Sequence, residues 1–175
     1  AMLEGKTAKQ LQFGIPRVNI GFQIAMGVDW DGKGAPATAP TIMQIADDAW
    51  GGGSDRLQIY NLQIDWETPT KSKLTGPQRI NVASFNSDLC QGWNECIKQP
   101  NGRYIAAIDQ LLSFRINYRN FGTHESIVCC HVVNVQDKPE PHAGIRWYEL
   151  RKQGTNSWSI YQQGTFSPDE SDRYY

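Results

Sequence analysis

The chain has 175 residues, 11% of them aromatic, with 17 Lys plus Arg against 18 Asp plus Glu and a formal charge of −1. That length carries one domain with its own hydrophobic core, and the near-neutral balance offers no general field for drawing in DNA, RNA or an anionic membrane. No apolar run approaches the roughly 18 residues that span a bilayer, and the N-terminus lacks the charged-then-apolar layout of a signal peptide.

Sixteen Gly and nine Pro, together with Thr, Ser and Asn, favour short strands joined by turns and predict an all-β protein. Residues 1–12 read as a polar lead-in, and 13–175 as a single β domain. The run VNIGFQIAMGV is a strand candidate. After it comes the Gly- and Pro-dense DWDGKGAPATAP, then a second strand, TIMQIAD, and a turn, AWGGGSD. RLQIYNLQIDW alternates, with Leu57, Ile59, Asn61 and Gln63 on one face and Gln58, Tyr60, Leu62 and Ile64 on the other.

PQRINVASF reads as a further strand, LCQGWNECIKQPNG as a long loop, and IDQLLSF as either a helical turn or a strand. FRINYRNF, HESIVCCHVVNV, GIRWYELR and SWSIYQQGTF complete the set of strands. LQIYNL and IRWYEL share a pattern about 88 residues apart, about twice the length of a four-stranded propeller blade.

Cys90 and Cys96 close a short Gly- and Asn-containing loop and form a disulfide candidate. Neighbours on a strand point to opposite faces, so Cys129 and Cys130 read as two separate thiols. Cys129 and His131 share a face, but a zinc site needs about four ligands, and no Cys-x-x-Cys or His-x-x-x-His spacing stands nearby. His124, Glu125 and His131 are therefore read as a structural polar network at a strand corner.

Asp29 and Asp31, in DWDGKG, offer hard oxygens at alternating positions, as a calcium loop does, so Ca2+ is the one cofactor the sequence suggests. Trp30, Trp50 and Trp93 are the candidate ligand platforms, being set in Gly-rich or polar segments, whereas Trp66, Trp147 and Trp158 fall at strand positions. Glu125, Glu149, Asp65 and Asp109 supply carboxylates for glycoside hydrolysis, but nothing in their spacing pairs them.

DDAWGGGSDRLQIYNLQIDWETP, FRINYRNFGTHESIV and HAGIRWYELRKQGTNSWSIYQQGTFSPD together resemble a family of large secreted bacterial proteins, of Bacteroidetes type and often carrying sorting or adhesion modules. The resemblance runs from about Phe13 to the end. It implies an antiparallel β-propeller-like fold of about four blades' length, a portion of a ring or a ring completed by self-association. It also implies a secreted, extracellular protein whose native signal this sequence does not carry. Cys129-Cys130 stands where relatives tend to have Val-Asn, which makes the thiols a local variation.

The function expected on this basis is a non-catalytic binding or adhesion module recognising a glycan or a protein through loops at one face. The alternatives are a glycan-processing hydrolase of sialidase-like shape and a structural spacer.

Overall fold

The computed structural model describes residues 4–5, 10–17, 24–32, 42–92, 94–135 and 142–168. Among the described residues, ten strands form in chain order: β1 (Met26–Asp31), β2 (Ile42–Ala46), β3 (Arg56–Gln63), β4 (Lys73–Asn81), β5 (Glu95–Lys98), β6 (Tyr104–Ala106), β7 (Ile116–Asn120), β8 (Glu125–Asn134), β9 (Ala143–Lys152) and β10 (Ser159–Phe166). Eight of them make one sheet in the order β10-β9-β8-β7-β1-β2-β3-β4, while β5 and β6 pair as a separate hairpin.

β1 to β4 and β7 to β10 are two antiparallel meanders, and a single parallel pair, β1 with β7, joins them into one continuous sheet. That sheet curls into a half-barrel, which overturns the propeller expectation: propeller blades are separate small sheets around an axis, and here the ladder is unbroken across the junction. Nor do the two echoed hexapeptides repeat a unit. Leu57 and Ile59 point into the core while Tyr60 bonds on the opposite face, whereas in β9 it is Tyr148 and Leu150 that point into the core. The two matches are out of phase by one residue, and in a strand one residue exchanges the faces.

The inner face follows from alternation of apolar residues. Met43, Ile45, Leu57, Ile59, Ile80, Ile116, Tyr118, Ile127, Cys129, Tyr148 and Leu150 form one buried cluster with Leu112 and Trp158, drawn from both ends of the sheet. The hairpin packs on the outer face, where Leu89, Cys90, Ile97 and Ala107 meet Val132, Ala143 and Ile145 in a second cluster. The C-terminal half of β8 and the start of β9 are thus covered on both faces, which explains the apolar run Val128–Val133 broken only by His131.

The alternation expected for 57–64 holds only as far as Tyr60, because a bulge between Ile59 and Asn61 shifts the register against β4. Opposite the bulge Gly76 sits at φ +110, where an added Cβ would lie 2.7 Å from Ile59 O. Glycine is required there by sterics as well as by its dihedral.

The edges of the curled sheet meet through side chains. Gln78 of β4 donates to Trp158 O at 2.7 Å and accepts from Trp158 N at 3.3 Å, beside the start of β10. The two ends of the half-barrel are thus tied by side-chain to backbone bonds at this point of the seam.

Of the strand expected over 18–28, residues 18–23 lie outside the described residues, and β1 begins at Met26 within the expected span. Two other segments differ from the sequence reading. The long loop after Leu89 contains β5, and IDQLLSF is neither helix nor strand.

Candidate functional site

The seam opens at one end into a cleft of about 550 Å3 lined by Ser84, Phe85, Asn134, His142, Arg146 and Thr165 among others. Strand register builds its inner wall. His131 faces Arg146 across β8 and β9, and Arg146 faces Thr165 across β9 and β10, which sets the three in a row on the inner face. One step along, Gly144 leaves no room for a side chain: an added Cβ would lie 2.5 Å from Val135 Cγ1 and 3.4 Å from Ser167 Cβ.

The opposite wall, residues 82–87, has no regular structure and is held by two carboxylates. Asp47 Oδ2 accepts from Ser87 N at 2.7 Å and Ser87 Oγ at 2.5 Å, and its Oδ1 accepts from Ala49 N at 2.8 Å. Asp55 Oδ2 accepts from Phe85 N at 2.8 Å and its Oδ1 from Asp48 N at 3.0 Å. Asp47, Asp48 and Asp55 bring oxygens within 4.8 Å of one another. All four oxygens of Asp47 and Asp55 accept protein N–H or O–H groups, so the grouping is a bracket that anchors the wall. Burial raises the Asp47 carboxyl above its ordinary value, against the pull of Ser87 and Ala49.

Arg146 crosses the seam. Its Nη1 donates to Thr165 Oγ1 at 3.0 Å, and its Nη2 donates to Ala83 O and Gln163 Oε1, both at 3.2 Å. All three acceptors are neutral, and its buried Nε has no hydrogen-bond partner. Among the described residues no carboxylate forms an ion pair with this guanidinium. At the far end of the cleft His142 Nε2 lies 3.2 Å from Ser167 Oγ. Neither Asp nor Glu appears among the described lining residues.

Behind the cleft His131 is fully buried. Nδ1 lies 3.1 Å from Val132 O and Nε2 lies 2.9 Å from Tyr148 Oη. The carbonyl can only accept, so Nδ1 carries the proton and Nε2 accepts from the tyrosine. Burial lowers the imidazole to about 4, aided by the nearby Arg146 charge. With both nitrogens engaged, His131 has no lone pair for a metal, and burial drives the Cys129 thiol beside it far above its ordinary value.

The predicted site residues are dispersed. Glu125 accepts from Tyr118 Oη at 2.8 Å and pairs with Lys152 at 3.1 Å. His124 stacks on Phe121 in the turn between β7 and β8. These two and His131 occupy three separate sets of contacts. Asp29 pairs with Arg115 at 2.7 Å, and Asp31 stands opposite Arg119 in the register of β1 and β7. Trp30 is 48% exposed on β1, Trp50 is half-buried in a 3₁₀ turn (Asp48–Trp50), and Trp93 lies outside the described residues. Neither Trp30 nor Trp50 lines the cleft. Cys90 and Cys96 are bonded, with S–S 2.03 Å, while Cys129 and Cys130 are free.

Sequence reasoning missed the cleft because its walls come from segments 63 to 80 residues apart, joined by Arg146 to Ala83 and Gln163 to Ala83. The one local signal is HAGIR, where two small residues open the strand that carries Arg146, directly after His142. Comparison with protein-family models, curated proteins and solved structures finds no match to this chain.

Proposed function

We propose that the protein is a non-catalytic binding module that takes a glycan in the seam cleft. The observation that carries this reading is the guanidinium of Arg146, set in a roomy cleft among hydroxyl and amide groups and, among the described residues, bonded to neutral acceptors. Hydroxyl, amide and imidazole groups match the donors and acceptors of a sugar ring, Phe85 supplies an apolar surface, and the Arg146 cation favours a carboxylate-bearing sugar. The Cys90–Cys96 disulfide and the resemblance to secreted bacterial proteins support an extracellular setting.

A glycan array followed by calorimetry tests the proposal. Acidic glycans are expected to bind, and Arg146→Ala to weaken binding by about tenfold or more while the circular dichroism stays unchanged. Binding of a protein partner with no glycan bound, turnover of a chromogenic glycoside, or full affinity in Arg146→Ala would overturn it.

A further inference from the structure

A second cavity lies on the outer side of the sheet, away from the seam. It measures about 210 Å3, is walled chiefly by apolar atoms, and is lined by Gly92, Asn94, Ala106, Ile108, Asp109 and Leu111 among others. Its volume corresponds to about seven water-sized units. The disulfide-closed loop and the hairpin provide its frame, since Cys90, Ile97 and Ala107 belong to the buried cluster beneath it.

One charged side chain enters this apolar wall. Asp109 is 8% exposed, and its Oδ2 is buried with no hydrogen-bond partner. The carboxylate accepts from the backbone of Leu89 and from its own N–H, and the charges that act on it, Asp88 and Asp47, are both negative. Burial is the main cause that raises its proton affinity to about 6. Its neighbours Ile108 and Gln110 both sit at positive φ, +52 and +64, a conformation that is rare for a β-branched residue such as isoleucine. This unfavourable backbone turns Asp109 inward and leaves Ile108 61% exposed at the rim.

A bracket for Leu89 N–H needs one acceptor, and asparagine would supply it without burying a charge. A second carboxylate oxygen in a dry wall, within an acidic field, calls for a cation. We infer that this pocket binds a primary alkylammonium group, with the ammonium on Asp109 Oδ2 and the alkyl chain along Ala106, Ile108 and Leu111. An n-butylammonium ion, with about five heavy atoms, fits the volume, and so does the end of a lysine side chain. A compact ammonium head places one of its three N–H donors on the free oxygen and turns the others toward the open mouth of the pocket, where water reaches them. The inference is independent of the glycan reading, because the pocket lies on the opposite face of the sheet from Arg146.

The test is an NMR titration of the whole chain at pH 7.5 with n-butylammonium, with n-butanol as the neutral isostere and N-acetyl-lysine N-methylamide as the peptide-like probe. Saturable shifts confined to residues 89–92, 94 and 105–111 are expected with both ammonium probes, and affinity for n-butanol is expected to be weaker by about tenfold or more. The stronger of the two ammonium probes identifies the source as a free amine or a lysine side chain. Asp109→Asn is expected to lose the binding with its fold intact, and Ala106→Leu, at an exposed lining position, to block it without touching the carboxylate. Affinity in the unaltered protein is expected to fall as pH drops below about 6. Equal binding of n-butanol, retained binding in Asp109→Asn, or no saturable shift at the pocket would overturn the inference, and the alcohol comparison decides even where a variant fails to fold.

Discussion

His131 and Asp109 are both buried ionisable groups, one on each side of the curled sheet, and the same desolvation acts on each with opposite sign. His131 has a partner on each ring nitrogen and an aromatic ring on two sides, Phe85 edge-on at 4.6 Å and Tyr148 stacked at 5.6 Å. Asp109 has backbone partners for its carboxylate but an oxygen with none. Burial makes the imidazole a neutral part of the core, which costs nothing at neutral pH. The same burial makes the carboxylate a charge that the fold tolerates at a cost. A polar group completed by its neighbours reads as architecture, and one left incomplete points to something outside the chain.

The linkage follows from the two shifts. For His131 the folded value of about 4 lies below the ordinary 6.5, so the unfolded chain takes up a proton first and stability falls as pH drops from 6.5 towards 4. For Asp109 the folded value of about 6 lies above the ordinary 3.8, so the folded chain holds its proton longer and stability falls as pH rises from 4 to 6. Each effect is worth about 3 kcal/mol at its limit, and the two nearly offset one another between pH 4 and 6.

The largest expected effect comes from breaking the completed side. Tyr148 is fully buried in the inner core, bonds His131 and lies under Arg146, whose guanidinium is 5.7 Å from its ring centroid. Tyr148→Ala removes the ring, opens a cavity and strips His131 of a partner, and is expected to cost about 3 to 5 kcal/mol in urea unfolding. A loss under about 1 kcal/mol would show that the inner face is not the main core.

Completing the incomplete side should do the reverse. Asp109→Asn keeps an acceptor for Leu89 N–H and removes the buried charge, so it is expected to stabilise the protein by about 2 kcal/mol at pH 8 and by little at pH 4. With the offsetting slope gone, the variant's stability should decline between pH 6.5 and 4 from His131 alone. A variant as pH-insensitive as the parent would break the comparison.

Most of the strand set was legible because β8 carries an apolar, β-branched run, β9 is rich in aromatic and alternating residues, and period-two alternation marks 57–60. Topology was not. Nothing local in MGVDWD or INYRN shows that β1 and β7 pair in parallel across about 90 residues, and that one ladder decides between separate blades and a continuous sheet. The hexapeptide match misled because it ignored phase, which only the partners of Tyr60 and Tyr148 reveal. The sites were hidden for a related reason. Asp109 and Arg146 are ordinary residues in sequence, and what sets them apart is a missing neighbour, a property of packing that composition and spacing do not encode.

The smallest expected effect tests the comparison most closely, because it turns the completed group into an incomplete one with little change in volume. Tyr148→Phe preserves the ring that stacks on His131 and the surface that Arg146 covers, but it removes the O–H that donates to Nε2. The cost is expected to be about 1 kcal/mol in urea unfolding, that of leaving a buried acceptor unmade. Titration carries the sharper sign. An O–H donor to Nε2 favours the neutral ring, so its loss should move the His131 proton affinity upward from about 4, followed through the imidazole C–H resonance. Burial and the Arg146 charge remain and should keep it below 6.5. If the resonance titrates at the parent's pH, desolvation alone sets the state of His131 and the tyrosine bond is incidental to it. An upward shift, with Asp109 titrating as before, would show that partners as well as burial separate the two sides of the sheet.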